Sequence, residues 1–233
     1  MILSIDTSTS VCSIALHDKE KQLLLYNTEL TIDRAHSSAL TQLIESCWEI
    51  TQTDAHQLSA VAVASGPGSY TGLRIGAAVA KGICYGAKKP LIAIPTLLCM
   101  AQKALQYAKV KSTDTLLCPM IDARRMEVYT AIFNQNLKEV EKTQAKVIDE
   151  TAFGETLQKY PVLFFGDGAD KCKETIRHEN AFFLEEVHPN AKEVGELAIQ
   201  KFNKNEFEDT AYFEPFYLKN FEAKKPAKDK LKM

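Results

Sequence analysis

The first thirty residues alternate between short apolar runs and polar breaks. ILSID (Ile2–Asp6) is apolar, TSTS (Thr7–Ser10) is a polar turn, VCSIALHD (Val11–Asp18) alternates, and KQLLLYNTEL (Lys21–Leu30) follows a second polar turn. Three consecutive runs with tight connections predict an antiparallel meander. The period then changes, with Leu40, Leu43, Ile44 and Cys47 recurring at helical spacing between Ala35 and Ile50. Asp54 with Gln57 is a capping pair for a short helix. SAVAVAS (Ser59–Ser65) is an unbroken apolar run of the kind buried on both faces of a sheet.

PLIAI (Pro90–Ile94) reads as another buried strand and TLLCMAQKALQYAK (Thr96–Lys109) as another helix. The outline then repeats, with strands at LLCPMIDAR (Leu116–Arg124), MEVYTAIFN (Met126–Asn134) and QAKVID (Gln144–Asp149). ETAFGETLQKY (Glu150–Tyr160) predicts a helix, PVLFFGDG (Pro161–Gly168) a buried strand ending in a glycine turn, and Ala191–Phe202 a helix preceded by Pro189. Strands, a helix and a buried strand occur once in each half. That divides the chain into an α/β unit at 1–105, a second at 106–222, and a lysine-rich tail at 223–233 with no apolar pattern, read as a solvated terminus.

Within the first unit, SAVAVAS runs straight into SGPGSYTGLRIGAAVAKG (Ser65–Gly82). A phosphate loop needs Gly, four residues, then Gly-Lys-Ser/Thr; counting from Gly66 lands on Thr71 and from Gly68 on Leu73, and no Lys follows. The dinucleotide fingerprint fails as well, because Thr71 occupies its third glycine position. The alternative is a turn, capped by Ser69 or Thr71, leading into a helix on which Gly72, Gly76 and Ala80 share one face and Ile75, Val79 and Ile83 flank it. Glycine inside a helix costs about 1 kcal/mol relative to alanine, so two of them need a packing reason. Close packing inside this chain and docking of another subunit both supply one.

Composition narrows the class. A formal net charge of -2 provides no field that would draw the whole chain onto nucleic acid or an anionic membrane. No run approaches the length of a membrane span, and MILSIDTSTS lacks the basic start and apolar core of a signal peptide. Six scattered cysteines without a CxxC suit reduced, buried thiols in the cytoplasm. The five histidines form neither HxxxH nor HExxH, so no metal site follows from local spacing.

DTST (Asp6–Thr9), HSSAL (His36–Leu40), SGPGSYTGLRIG (Ser65–Gly76), IPTL (Ile94–Leu97), DARRMEVY (Asp122–Tyr129) and GDGA (Gly166–Ala169) occur in an order that resembles the bacterial TsaB family, also called YeaZ. The resemblance spans about three quarters of the chain and loosens after Asp170. It implies an actin-like ATPase fold (ribonuclease H-like), with two lobes that each carry a mixed sheet and flanking helices. It further implies an accessory, non-catalytic role in installing threonylcarbamoyl on the adenosine next to the tRNA anticodon, by binding the catalytic paralogue TsaD and the ATPase TsaE. No cofactor is expected to be tightly bound, with ATP or ADP only at the complex interface. Transfer RNA is reached through the complex, and the chain alone is expected to form a homodimer.

The family interface maps onto the first two long helices, which makes His36, Leu40, Leu43, Ile44, Leu73, Gly76 and Ala77 the expected contact residues. Asp6, Thr7 and Thr9 stand where actin-like kinases approach ATP phosphate, although Ser8 replaces the glycine that permits closest approach. With Arg124, whose guanidinium suits phosphate or carboxylate, they are the candidate nucleotide contacts of the competing reading, a stand-alone ATPase or small kinase working through Asp6. Two ordinary hairpin turns are the simpler account of the same residues. Alignment on the motif places Leu98 and Gln102 where TsaD carries two metal-binding histidines. This departure argues against a metallopeptidase.

Overall fold

The computed structural model describes residues 1–31, 36–108 and 112–219, except the side chains of residues 36–38. The lysine tail at 223–233 lies outside the described residues, and so does the His36 side chain. The three opening runs form β1 (Ile2–Asp6), β2 (Val11–Asp18) and β3 (Leu23–Thr31), paired antiparallel as Ile2–His17 to Asp6–Ser13 and Val11–Thr31 to Asp18–Leu23. Next come α1 (His36–Thr51), a 3-10 turn at Ala55–Gln57, β4 (Ala60–Ala64), α2 (Tyr70–Ala87), β5 (Leu91–Ile94) and α3 (Thr96–Tyr107). The Asp54–Gln57 pair forms a complete capping box. Because β4 and β5 pair parallel to β1, all five residues of β4 are buried, as an unbroken apolar run requires.

The second half repeats the arrangement. β6 (Leu116–Asp122), β7 (Glu127–Phe133), β8 (Glu139–Val147), β9 (Val162–Phe165) and β10 (Ala181–Leu184) form a sheet of order β10-β9-β6-β7-β8. The first sheet runs β3-β2-β1-β4-β5, the same order read from its other edge. In each, the first three strands are antiparallel and the last two parallel to the first. Two such mixed sheets are the actin-like pair of lobes that the motifs imply.

Two expectations change here. The helix expected at 150–160 shrinks to α4 (Gly154–Leu157), because Phe153 takes a left-handed conformation (φ 66°) and seals its ring into the core instead of continuing a helix. β8 begins at Glu139, earlier than the expected strand at Gln144. Short α5 (Asp167–Asp170) and long α6 (Ala191–Asn203) complete the elements.

Helices α1 and α2 cover the β1–β5 sheet on the face that presents Leu3, Ile5, Val61 and Val63. The opposite face, with Ile2, Ala60, Ala62 and Ile94, is covered by α6, which arrives from the far end of the chain. In exchange α3 packs on the second sheet, burying Leu97, Met100, Ala101 and Ala104 against Leu117, Ile121 and Phe165. The boundary expected at residue 105 therefore falls inside α3, the helix that leaves one lobe to roof the other. The chain after α6 returns along the first lobe. Glu208 N–H donates to the Leu91 carbonyl (2.9 Å), Lys81 Nζ donates to the carbonyls of Ala211 (3.0 Å) and Phe213 (3.1 Å), and Phe216 N–H donates to Ser65 (2.7 Å). Tyr217 then packs on Tyr70 at 4.8 Å between ring centroids, and Lys219 pairs with Glu127 of the second lobe. Among the described residues no helix is long and apolar enough to cross a membrane.

Candidate docking face and the closed Asp6 turn

The glycine-rich motif leaves the end of β4 and settles directly on the end of β1. Gly66 exchanges hydrogen bonds with Thr96 (N–H to Oγ1 3.1 Å; Thr96 N–H to Gly66 O 2.9 Å). Ser69 N–H donates to the Ser8 carbonyl (2.6 Å), and Ser69 Oγ caps α2 by accepting from Gly72 N–H (3.3 Å). Thr7 Oγ1 donates to the Gly72 carbonyl (2.7 Å). A methyl group on Gly72 would lie under 3.0 Å from the Thr7 carbonyl oxygen, and one on Gly76 equally close to Thr7 Oγ1. The glycines thin α2 so that it can sit on this chain's own Asp6–Ser10 turn. The second lobe does the same, since a Cβ on Gly168 would meet the Met120 and Ile121 backbone at the end of β6.

This closure decides the fate of the candidate phosphate contacts. Asp6 is 1% exposed, with Oδ1 accepting from Ser8 N–H (2.8 Å) and Ser8 Oγ (2.6 Å). Burial pushes its carboxyl up to about 6, against the pull of the Ser8 hydrogen bonds and of Lys103. Thr7 and Ser8 are buried, and the Thr7 hydroxyl is committed to α2. Thr9 is half-buried, its Oγ1 facing Val11 N–H at 3.3 Å. Arg124 stands apart from this group, exposed at the β6–β7 turn with φ 72° and its N–H donating to Asp122 (2.8 Å). The hydroxyls read as phosphate ligands thus serve as internal braces, and Arg124 does not join them. Of the two positions that replace TsaD histidines, Gln102 donates to Glu196 Oε2 (3.1 Å) and Leu98 packs between the cores of the two lobes. No three metal-ligating side chains converge among the described residues.

The expected contact residues also need correction. Leu40, Leu43, Ile44, Leu73, Gly76 and Ala77 are all buried inside this chain. The helical period identified a shared apolar face correctly, but that face is turned to the β1–β5 sheet. What α2 turns outward is Thr71, Arg74, Ala78, Gly82 and Tyr85, with Ile75, Val79 and Ile83 half-exposed beside them. Gly82 has nothing within 4 Å of where its Cβ would be, and Tyr85 is 87% exposed. Neighbouring α1 adds Trp48, half-buried and packed on the same core cluster as Ile75, Val79 and Ile83. The C-terminal segment flanks this face through Lys81 and places Tyr212, 84% exposed, alongside. Nothing in the sequence pattern pointed to Tyr212 or to the Tyr70–Tyr217 contact. Their only signal is the aromatic density of AYFEPFY, which has no helical or strand period.

Fold and turn together define a two-lobed, actin-like chain whose first-lobe turn is plugged by its own helix. The family described as TsaD, tRNA N6-adenosine threonylcarbamoyltransferase, matches residues 29–227. The tRNA threonylcarbamoyladenosine biosynthesis protein TsaB of Escherichia coli K12 is 30% identical over 227 residues, covering 94% of each chain. TsaB of Bacillus subtilis 168 is 32% identical over 178 residues, 75% of this chain and 74% of that one. Among solved structures, a Pseudomonas aeruginosa protein described as similar to peptidase YeaZ superposes with a TM-score of 0.80 at 23% identity, covering 94% of this chain and 99% of that one. The chain belongs to the TsaB family.

Proposed function

We propose that this protein is the accessory subunit of the machinery that installs threonylcarbamoyl on the adenosine next to the tRNA anticodon. It binds and activates the catalytic subunit TsaD and carries out no turnover of its own. TsaE joins the pair, any ATP or ADP lies at the interface between subunits, and tRNA is reached through the assembly in the cytoplasm. In the absence of TsaD the same face pairs two copies of the chain.

The observation that carries this reading is the outer face of α2. Ala78 and Gly82, one turn apart, let a partner helix approach closely, while Ile75, Val79 and Tyr85 supply apolar surface around that point. The closed Asp6 turn supports the second half of the reading, because the groups that would approach ATP phosphate are spent on α2.

Reconstitution tests it: TsaD, TsaE, the threonylcarbamoyl-AMP synthase, ATP and unmodified tRNA are combined with and without this chain, and modified adenosine is counted. The expected result is modification only with the chain present, and no ATP hydrolysis by the chain alone. Gly82→Arg is expected to leave the isolated protein at least as stable, because arginine is a better helix former than glycine and nothing obstructs its side chain, and to weaken association with TsaD about 100-fold, roughly 2.7 kcal/mol. Modification that proceeds equally well without the chain, or unchanged affinity in Gly82→Arg, would overturn the proposal.

A further inference from the structure

The β6–β7 turn holds two arginines in a conformation that any residue with a Cβ disfavours. Arg124 and Arg125 are consecutive and both left-handed, with φ 72° and 53°. Lys171 enforces that shape. Its Nζ pairs with Asp122 and donates to the carbonyls of Arg125 (2.6 Å) and Glu127 (2.7 Å), while Arg124 N–H donates to Asp122 (2.8 Å). Backbone held against its own preference by surrounding bonds is concentrated at functional positions. Both arginines are exposed, and neither guanidinium has a hydrogen-bond or ion-pair partner among the described residues.

The C-terminal segment carries further groups to the same place. Arg74 lies over the Tyr70 ring at 5.4 Å, with Nη1 donating to the Tyr70 hydroxyl (3.2 Å), and Tyr217 packs on the same ring. Two residues on, Lys219 pairs with Glu127 beside the arginine turn. Arg74, Tyr70, Tyr217, Lys219, Arg124 and Arg125 thus follow one another from the first lobe to the second. Of the acids along this track, Asp122 and Glu127 are taken by Lys171 and Lys219, and Glu214 lies near Tyr217. Residues 220–233 continue from Lys219 with five lysines against one aspartate and one glutamate, a charge of +3 that leaves -5 on residues 1–219. A basic arm on an acidic body is a sign asymmetry that marks contact with a polyanion.

The chemistry of the track selects the polyanion. Guanidinium pairs with phosphate in a bidentate way, lysines gain from the release of condensed counterions, and tyrosine rings interleaved with cations offer surfaces on which bases stack. We propose that this track, with the basic chain beyond Lys219, binds the phosphate backbone of RNA and gives the subunit a direct hold on the tRNA of its assembly. The inference rests on the accessory role proposed above. Arg74 is shared with the docking face on α2, and the other five residues lie outside it.

The full chain provides the test, titrated against fluorescently labelled, unmodified tRNA, with anisotropy giving the affinity between about 50 and 200 mM salt. Micromolar binding is expected at the low end. The two turn arginines and five tail lysines are seven cations, so log affinity is expected to fall against log salt with a slope of about -5. Arg124→Gln combined with Arg125→Gln is expected to weaken binding about tenfold and to reduce the slope by about 1.4, with the denaturation midpoint unchanged. Removal of residues 220–233 is expected to reduce the slope by about 3.5. Arg124→Lys combined with Arg125→Lys is expected to keep the slope and lose part of the affinity, because lysine makes no bidentate contact. No binding of tRNA, full affinity in the glutamine variant, or equally tight binding of polyglutamate or of vesicles of equal parts phosphatidylserine and phosphatidylcholine would each overturn the proposal. The accessory role is decided separately. It falls if reconstituted modification proceeds without the chain, whereas the RNA track alone falls if modification requires the chain and the chain binds no tRNA.

Discussion

Gly72→Ala is expected to destabilise the protein by about 3 kcal/mol, while the same substitution at Gly82, ten residues further along α2 and on its outer face, is expected to stabilise it by about 1 kcal/mol. At Gly72 the added methyl meets the Thr7 carbonyl oxygen, a backbone atom that cannot rotate away. The turn cannot retreat, because Thr7 Oγ1 is bonded to Gly72 O and Ser8 O to Ser69 N–H. Overpacking of this kind costs about 1–3 kcal/mol. Stretching two buried hydrogen bonds adds about 1 kcal/mol each, and the helical preference of alanine returns about 1. At Gly82 there is no obstacle, so only that last contribution remains. Gly76 discriminates further, since its obstacle is the Thr7 side-chain oxygen. Gly76→Ala is therefore expected to be partly rescued by Thr7→Ala, and Gly72→Ala not at all. Urea denaturation of the single variants and of the two double variants that carry Thr7→Ala measures this; a Gly72→Ala protein as stable as the parent would show that α2 does not rest on the turn as described.

The strands were legible because burial on one or both faces writes a period into the sequence. β1 and β2 were read with their observed bounds, and the all-buried β4 and β5 to within a residue or two. The glycines of α2 were also legible as a packing device. What the pattern left open was direction. α2 is apolar nearly all round, and a period of 3.6 does not say which of two apolar faces meets the sheet. Leu73 and Ala77 went inward with the glycines, leaving Ala78, Gly82 and Tyr85 outside. β10 escaped notice because four residues, AFFL, at a sheet edge have too little alternation to register. The C-terminal segment was illegible for a different reason: it is irregular, and its anchors Leu91, Lys81, Ser65 and Tyr70 lie more than a hundred residues away.

Asp6→Asn is expected to stabilise the protein by about 2 kcal/mol at pH 8 and to destabilise it by up to about 1 kcal/mol near pH 4, where only the cost of the unpaired amide remains. Burial raises the Asp6 carboxyl from 3.8 to about 6 in the folded state. A carboxyl raised in this way contributes stability when protonated; the contribution is complete below 3.8 and is lost as pH rises through about 6. At pH 8 the folded chain therefore holds a buried carboxylate at a penalty of roughly 3 kcal/mol. Asparagine keeps the oxygen that accepts from Ser8 and removes the charge, while its amide replaces Oδ2, which has no partner. An amide left unpaired returns about 1 kcal/mol of that gain. His17 acts with the opposite sign, its lowered pKa withdrawing stability as pH falls below 6.5, but it is common to both proteins and cancels in the difference. Paired urea denaturations from pH 4 to pH 8 give that difference directly. The same variant separates the accessory role from an ATPase centred on Asp6. A braced, non-catalytic turn predicts a more stable protein that still supports full tRNA modification in the reconstituted system. A carboxylate that served magnesium and ATP would leave the variant stable and the modification lost, and that outcome would move the chemistry back to Asp6.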